Sequence, residues 1–240
     1  MMYLSRLKLD PKAVVRSGLR EAMAAGLYDT HKLLWRLFAD RPDRERDFLY
    51  RDMGGGLFLA VSARPPRDAD GVWEVSTKEY APALAAGDRL LFTLRANAVR
   101  KTRNAAGRQE RHSVVEDLHR ERKAEWEASA ATQAAGAKRL GRADTPRPPS
   151  RDALALEAGG RWLAARADSL GLAVEEQSLL VESYARHAFR HRKGGSAALA
   201  VLDLRGFARV TDPAKALAAL YHGVGPAKGL GCGLLLVRRA

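Results

Sequence analysis

The sequence predicts an α+β fold in which the element order β-α-β-β-α-β occurs twice. Each half contains apolar or alternating segments of strand length, and each has helical patterns on both sides of a hairpin signal. The length of 240 residues suits two domains of roughly 80 to 100 residues each. The repeat lies in the order of the elements and not in residue identity.

The first unit begins with a strand and a helix. In "YLSRLKL" the side chains of Leu7 and Leu9 fall on one face and basic side chains on the other, which is typical of a half-buried strand. A helix is expected over residues 27–38, with Asp29 or Thr30 as its N-cap. That N-cap would put the following residues in the first helical turn.

A hairpin and a closing strand complete the first unit, which we assign to residues 1–99. Two short apolar runs flank the glycines at 54–56, as in a β-hairpin. A helical segment is expected around residues 78–86. The apolar run in "DRLLFTLRANAV" then predicts a buried strand at the end of this N-terminal domain.

Residues 100–150 differ in character from the segments on either side. From residue 100 to residue 151 there are 13 Lys or Arg and 7 Asp or Glu, and apolar periodicity fades in the second half. We predict a linker, a strand in "RHSVVEDL" that opens the second domain, and a mobile insertion over residues 120–150.

The C-terminal domain is assigned to residues 151–240. A helix is expected in "RDALALEAGGRWLAARADSLGL", followed by two strands joined through "RHRKGG". Asp212 is the predicted N-cap of a last helix that has Pro213 at its first position and ends at Gly223. "LLLVRR" forms the closing strand, so the prediction is two tandem ferredoxin-like (RRM-like) domains.

The charge of the chain indicates a polyanionic partner. Forty-one Lys and Arg against 28 Asp and Glu give a net charge of +13, which favours nucleic acid. A membrane surface is disfavoured because the basic residues are spread over several segments instead of one amphipathic helix. The structural alternative is an Arg-rich solvated surface, so charge alone predicts a class of partner and not a function.

Composition also predicts a location in the cytoplasm. There is no apolar run of transmembrane length, and the charges in "MMYLSRLKLD" interrupt the apolar core that a signal peptide needs. A single cysteine, Cys232, can form neither an internal disulfide nor a Cys-based zinc site, which suits a reducing compartment.

The helix over residues 27–38 carries two candidate catalytic residues, Tyr28 and His31. On a helical projection they lie where the apolar and basic faces meet. In the first turn, His31 would be near free backbone N–H groups that favour a phosphate. The helix alone favours the alternative of a packed tyrosine and a partly buried histidine. The predicted buried stripe consists of Leu33, Leu34, Leu37 and Phe38.

Metal-independent cleavage of RNA is the chemistry for which such a pair is suited. A proton must leave the 2′-OH, another must reach the departing 5′ oxygen, and cations must stabilise the phosphorane. Histidine can transfer either proton near neutral pH, and each such transfer contributes roughly 10²- to 10⁴-fold in rate.

A glycine-rich loop, "GVGPAKGLGCG", lies between the last helix and the last strand. Its glycines allow the backbone to approach a phosphate closely, and Lys228 adds positive charge. It lacks the ending of a P-loop and does not open a helix as a dinucleotide-binding loop does. The alternative to phosphate binding is a purely structural role, in which the loop ends the helix and forms a tight turn. The loop glycines are Gly223, Gly225, Gly229, Gly231 and Gly233.

A basic hairpin tip, "ARHAFRHRKGG", is the third motif and a candidate for following RNA phosphates. His187 and His191 could in principle bind a metal, but the cationic surroundings make phosphate the better ligand. A solvated basic turn is the alternative. Its cations are Arg186, Arg190, Arg192 and Lys193.

Taken together, these segments resemble one family. The opening "YLSRLKL", the helix "YDTHKLLWRLF" with "RPDRERDFLYR", the strand "FTLRANAVRKT" and the terminal "GVGPAKGLGCGLL" occur in the order found in the type I-E CRISPR-associated endoribonuclease (CasE) family of the RAMP superfamily. The resemblance covers nearly the whole chain. Residues 10–26 and 120–150 depart from the family pattern, and neither segment contains a matching motif.

The resemblance implies cleavage of precursor CRISPR RNA at the base of the repeat hairpin, without metal or cofactor, leaving a 2′,3′-cyclic phosphate and a 5′-OH. The family's Tyr-x-x-His pattern falls on Tyr28 and His31, with His31 as the main proton-transfer residue, acting as the acid. Tyr28 would orient or deprotonate the 2′-OH.

The resemblance also implies partners: the repeat hairpin, which stays bound after cleavage, and the other subunits of the Cascade complex. The free protein is expected to be a monomer. The rival hypothesis is a non-catalytic RNA-binding RAMP subunit, which would not need Tyr28 and His31. The predicted RNA-binding residues are Lys32, Arg36, Arg95, Asn97, Arg100, Lys101, Arg186, Arg190, Arg192, Lys193 and Lys228.

Overall fold

Two antiparallel sheets, each packed against helices, organise the part of the chain that the structure describes. This computed structural model describes residues 1–16, 27–41, 43–137, 149–190 and 196–240. The predicted α+β class is confirmed. No helix within these residues is long and apolar enough to cross a membrane.

The first sheet has the strand order β2-β3-β1-β4, with every neighbouring pair antiparallel. Leu7 and Leu9 on β1 are buried, as the alternation predicted. The three glycines at 54–56 form the β2–β3 turn. The elements are β1 (Tyr3–Leu9), α1 (Pro11–Arg16), α2 (Leu27–Trp35), β2 (Phe48–Asp52), β3 (Leu57–Ser62) and β4 (Trp73–Glu79).

The second sheet has the order β11-β5-β10-β8. The long strand β10 pairs with β8 near its C-terminal end and with β9 along the rest of its length. The first part of the domain comprises β5 (Arg89–Ala96), β6 (Val99–Arg103), β7 (Gln109–Ser113), α3 (Val114–Ala137), α4 (Arg151–Ala164) and α5 (Ala167–Leu170). The rest comprises β8 (Leu172–Val174), a 3-10 turn (Glu176–Ser178), β9 (Leu180–Arg190), β10 (Ser196–Val210), α6 (Pro213–His222), a second 3-10 turn (Lys228–Leu230) and β11 (Leu235–Arg239).

Both sheets place the first strand of their unit between the fourth and the third, with the second strand beside the third. This is the ferredoxin-like strand order, so the prediction of two tandem ferredoxin-like units is confirmed. The caps of α6 also match the prediction, since Asp212 accepts hydrogen bonds from the N–H groups of Ala214 and Lys215, and Gly223 ends the helix.

Two predictions about the first unit are wrong. The strand in "DRLLFTLRANAV", β5, does not close the first sheet but pairs with β10 and β11 of the second. Residues 78–86 are not helical, because β4 continues to Glu79 along β1 and takes the edge position that was assigned to β5. The domain limits at 99 and 150 therefore stay predictions, with β5 belonging to the second sheet.

The prediction for residues 100–150 is also wrong over the part that is described. "RHSVVEDL" is the end of β7 followed by the start of α3, because Ser113 ends the hairpin pairing and Val115 and Leu118 turn inward on a helical spacing. The β6–β7 hairpin and α3 replace the expected linker up to residue 137.

The two domains meet along β2. Phe48 and Tyr50 point into the core beneath α2, whereas Leu49 between them packs with Leu234 at the start of β11. β2 is therefore buried on both faces. Helix α2 of the first domain and the glycine-rich loop of the second domain both lie against this strand.

Candidate active site and nucleic-acid interface

Helix α2 is anchored by the stripe that the sequence predicted. Leu33, Leu34, Leu37 and Phe38 are all at most 5% exposed and pack into the core of the first domain. Regular helix ends at Trp35, and a turn carries the last two stripe residues. Burial of this stripe sets the rotation of α2 and leaves His31 partly buried at the border of the core, beside Phe48 and Tyr50.

His31 does not lie in the first helical turn. Because α2 spans Leu27–Trp35, Asp29 and Thr30 are helical and neither is the N-cap. The expected contact between His31 and a phosphate bound at the helix terminus is therefore wrong. Phosphate recognition next to His31 must come from other groups.

Three aromatic rings surround His31. Its imidazole lies 5.8 Å from the ring of Trp35 and 6.4 Å from each of Phe48 and Tyr50, with the last two nearly parallel to it. The imidazole atom Nδ1 is buried and has no hydrogen-bond partner among the described residues. This packing restricts the ring while leaving one nitrogen unpaired.

The glycine-rich loop closes the other side of His31. A Cβ atom placed on Gly229 would lie 3.6 Å from Cε1 of the imidazole, so the backbone there runs directly beside the ring. Tyr50 donates a hydrogen bond to the carbonyl oxygen of Gly229 at 3.1 Å. Gly231 packs its Cα against the Tyr50 ring with a φ of +78°, which an L side chain rarely adopts. The loop thus has both a structural role and a place in the site.

Two cations lie near this site: Arg46, whose charge acts on His31, and Lys228, which interacts with Arg46 and precedes Gly229 in the loop. Arg46 precedes β2 and donates a hydrogen bond from Nη1 to the carbonyl oxygen of Phe48 at 3.2 Å. Burial lowers the pKa of Arg46, and burial together with the Arg46 charge lowers the pKa of Lys228. Burial and the Arg46 charge also lower the pKa of His31. The free protein therefore favours a neutral imidazole at pH 7.

Sequence reasoning included Lys228 but missed Arg46 and Tyr50. Arg46 is one of three arginines within "RPDRER", and nothing in that run distinguishes it from its neighbours. Tyr50 sits in an apolar strand and is only 1% exposed, as a core residue would be. The only usable signal was the position of both residues in a segment that matches the family pattern.

Tyr28 lies in the second position of α2, three residues before His31. Its side chain falls outside the described residues. The spacing places Tyr28 and His31 one helical turn apart, so they share a face of the helix. The catalytic role of Tyr28 stays a prediction.

Two predicted RNA-binding residues, Arg95 and Asn97, lie close to the domain boundary. Arg95 donates two hydrogen bonds of 2.9 Å to the buried carboxylate of Asp203, which also accepts from Arg51. Asn97 has a buried Oδ1 with no partner among the described residues. Arg95 therefore has a structural partner in the free protein, and its contact with RNA stays a prediction.

Arg100 and Lys101 lie on the β6–β7 hairpin, where they line a groove of about 770 Å³. The opposite wall is formed by α3 and α4, and Gly225 of the glycine-rich loop closes one end. Arg100 forms an ion pair of 3.0 Å with Asp117 across this groove. The glycine-rich loop thus connects this groove, at Gly225, with His31, at Gly229.

The other predicted RNA-binding residues are more scattered. Lys32 is exposed on α2, and Arg36, in the turn after α2, forms an ion pair with Asp70. Arg186 lies on β9, 3.6 Å from Glu116. The backbone of Arg190 ends β9 but its side chain lies outside the described residues, as do Arg192 and Lys193 entirely. The role of the hairpin tip stays a prediction.

In the described part of the chain, no three His, Cys, Asp or Glu side chains are grouped as metal ligands would be. The groups around His31 are cations, aromatic rings and backbone. What this arrangement can do is hold an anion beside an imidazole that is able to accept or donate a proton.

Comparisons with known proteins identify the family. A family model described as "CRISPR associated protein" matches residues 2–239. The chain is 25% identical over 239 residues to the CRISPR system Cascade subunit CasE of Escherichia coli (strain K12), covering 98% of each protein.

Solved structures agree on the fold. Thermus thermophilus Cse3, bound to an RNA representing a pre-cleavage complex, is 24% identical with a TM-score of 0.62, covering 99% of this chain and 98% of that one. The CRISPR-associated protein Cas6e from E. coli strain K-12 is 21% identical with a TM-score of 0.51, covering 99% of this chain and all of that one. The resemblance predicted from the sequence is confirmed.

Proposed function

This chain belongs to the family of CRISPR-associated proteins, and on that premise we propose that it is an endoribonuclease that cleaves precursor CRISPR RNA at the base of the repeat hairpin. The observation that supports this most is His31, which is packed between aromatic rings and the glycine-rich loop and is close to the charge of Arg46. An RNA-binding surface alone has no need of an imidazole with an unpaired nitrogen in such a place.

The proposed reaction is an attack of the 2′-OH on the adjacent phosphate, which gives a 2′,3′-cyclic phosphate and a 5′-OH. His31 is the main proton-transfer residue and protonates the departing 5′ oxygen. Although its pKa is lowered in the free protein, the negative charge of a bound phosphate favours the imidazolium and raises that pKa again. The acid form is thus produced where the substrate is bound.

Tyr28 is the proposed partner of His31. A phenol is a weak base near neutral pH, since its unperturbed pKa is about 10, but it is a good hydrogen-bond donor and acceptor. We assign it the orientation or deprotonation of the 2′-OH. Because this route uses only side chains and backbone of the chain, cleavage requires no metal ion.

The RNA stem is proposed to follow the cations of the β6–β7 groove and the β9–β10 hairpin through its phosphates. An A-form stem is recognised mainly by shape and backbone contacts, which suits a surface of Arg and Lys side chains. The glycine-rich loop allows the scissile phosphate to approach His31 closely.

The partners are inferred from the names of the relatives. The E. coli relative is a Cascade subunit, and the Thermus structure contains RNA. We propose that this chain likewise keeps the hairpin of its product bound and joins the other subunits of a Cascade complex.

The test uses the CRISPR repeat RNA encoded in the same genome, incubated with the protein in EDTA. The expected result is a single cut at the 3′ base of the hairpin, with a 2′,3′-cyclic phosphate end, and loss of cutting in His31→Ala with RNA affinity retained. Cleavage only after Mg²⁺ is added would contradict the mechanism. Full activity of His31→Ala would remove the proposed role of His31.

A further inference from the structure

Arg46 and Lys228 are both partly buried and lie close enough to interact electrostatically, yet neither forms an ion pair with a carboxylate of the described residues. Elsewhere in this part of the chain, arginines such as Arg44, Arg64 and Arg95 are paired with aspartates. Partial burial of two unpaired like charges is unfavourable, because each loses hydration and they repel each other. An anion bound between them would relieve both costs.

The position of these cations indicates which anion. Arg46 comes from the segment before β2 in the first domain, whereas Lys228 comes from the glycine-rich loop of the second. The backbone of that loop runs beside the imidazole of His31 at Gly229. The charge of Arg46 thus acts on both His31 and Lys228, and the three groups come from three separate segments that meet at this site.

Arg46 is held in place by its own neighbours. Nη1 donates to the carbonyl oxygen of Phe48, whose ring stacks on His31 with 18° between the planes. This bond uses one of five guanidinium N–H donors and leaves the others available, and a guanidinium matches the paired oxygens of a phosphate. Because the donor is already positioned, little reorganisation is needed when charge develops on the phosphate.

We propose that Arg46 is a catalytic residue that donates hydrogen bonds to the non-bridging oxygens of the scissile phosphate, together with Lys228, and stabilises the phosphorane as the 2′ oxygen bonds to phosphorus. This inference rests on the proposed function. The 2′-OH gives its proton to the proposed base, Tyr28 in its phenolate form, as the 2′ oxygen bonds to phosphorus. The bond that breaks is the one from phosphorus to the 5′ oxygen, which receives its proton from His31, while Arg46 keeps all of its protons throughout.

Arg46 has a second effect, on the protonation of His31. Among the described side chains, the titratable or charged groups near the imidazole are Arg46, which precedes β2, and Tyr50 on β2. Lys228 lies in the loop that runs beside the ring, and Lys32 follows His31 on its own helix. Burial raises the pKa of Tyr50, so its hydroxyl is neutral at any working pH. Arg46 lowers the pKa of His31, so loss of its charge raises that pKa.

The test compares Arg46→Gln and Arg46→Lys with Arg41→Gln, a control in the same arginine-rich segment whose side chain is 59% exposed. The assay is single-turnover cleavage of the repeat RNA at saturating protein, with affinity measured on a repeat that carries a 2′-deoxy nucleotide at the cut. We expect Arg46→Gln to slow cleavage roughly 10²- to 10³-fold, as removal of one preorganised donor does in other sites. Its affinity should change far less, Arg46→Lys should restore much of the rate, and Arg41→Gln should cleave normally.

The pH profile separates chemistry from structure. The midpoint assigned to His31 should move to higher pH in Arg46→Gln and not in Arg41→Gln, which a purely structural role of Arg46 would not produce. A normal rate, or a slow rate with an unmoved midpoint and no rescue by lysine, would overturn the inference. His31→Ala is run in parallel: if it cleaves normally, the proposed function fails, and if it is inactive while Arg46→Gln is normal, only the role of Arg46 fails.

Discussion

Replacing Asp203 by asparagine should destabilise the whole molecule, because this carboxylate joins the two domains. Its Oδ1 accepts from Arg95 at 2.9 Å and from Arg51 at 3.3 Å, and its Oδ2 accepts from Arg95 at 2.9 Å and from Ser183 at 2.7 Å. Arg51 belongs to β2 of the first sheet, and the other three residues belong to the second. The network therefore supports the same interface that brings the glycine-rich loop to His31.

The size of the effect follows from burial. The side chains of Asp203 and Arg51 are only 9% and 10% exposed, so water cannot replace the lost charge. Nη1 of Arg51 already has no hydrogen-bond partner within the part of the chain that the structure describes. Removing one member of a buried ion pair costs about 3 to 5 kcal/mol in unfolding free energy. For a chain of this length, that corresponds to a decrease in Tm of roughly 6 to 20 °C.

Urea and thermal unfolding at pH 7 measure this loss. The matched control is Asp168→Asn, which breaks an ion pair with Lys215 at a fully exposed carboxylate and should leave the unfolding midpoint unchanged. A loss below about 1 kcal/mol in Asp203→Asn would refute the argument that the buried charge of Asp203 holds the interface together.

The loss of stability in Asp203→Asn should also depend on pH, in a direction that follows from the pKa of Asp203. Burial raises the pKa of Asp203, but the hydrogen bonds from Arg95 and Ser183 and the charges of Arg95 and Arg51 outweigh burial, and the pKa lies below its usual value. As the pH falls, the unfolded state takes up this proton first. The contribution of Asp203 is therefore complete above the unfolded pKa of about 3.9 and is lost as the pH falls through the folded pKa. The difference in stability between the wild type and Asp203→Asn should therefore begin to shrink only below about pH 4, and it should disappear below the folded pKa of Asp203.

Two further predictions concern the site. Gly229→Ala should fold normally, since its Cβ would meet the His31 ring at an ordinary 3.6 Å. The added methyl group fills the space beside the imidazole and should slow cleavage about 10- to 100-fold. An unchanged single-turnover rate would mean that the phosphate binds elsewhere. Lys101→Ala should weaken RNA binding and reduce the slope of log affinity against log salt by about 0.7 to 0.9 per lost phosphate contact. The control, Lys215→Ala, should leave both the affinity and the slope unchanged. Equal slopes for the two variants would mean that the β6–β7 groove does not contact RNA.

Local patterns in the sequence were sufficient for elements whose boundaries depend on their own residues. The alternation in β1 predicted the burial of Leu7 and Leu9, and the Asp212 cap and Gly223 stop predicted both ends of α6. These features depend on hydrogen bonds and periodicity within a few residues, so they can be read without knowledge of the rest of the chain.

Pairing between strands that are distant in the chain could not be predicted from the sequence. Nothing in "DRLLFTLRANAV" distinguishes a partner in the first sheet from one in the second, and β5 found its neighbours more than 100 residues away on β10 and β11. The helix predicted over residues 78–86 was wrong for the same reason, since pairing with the edge of β1 extends β4 to Glu79.

The sequence by itself determined that this chain has two ferredoxin-like units, a strongly basic composition, and a histidine on a helix within a pattern that resembles a known family of RNA-cleaving proteins. Only the tertiary structure decided what surrounds that histidine: Tyr50 and Phe48 from a buried strand, Gly229 from a loop almost 200 residues later, and Arg46 without an acidic partner among the described residues. The physical reason is that burial and unpaired charge are properties of the packed interface between domains, and no short segment contains them.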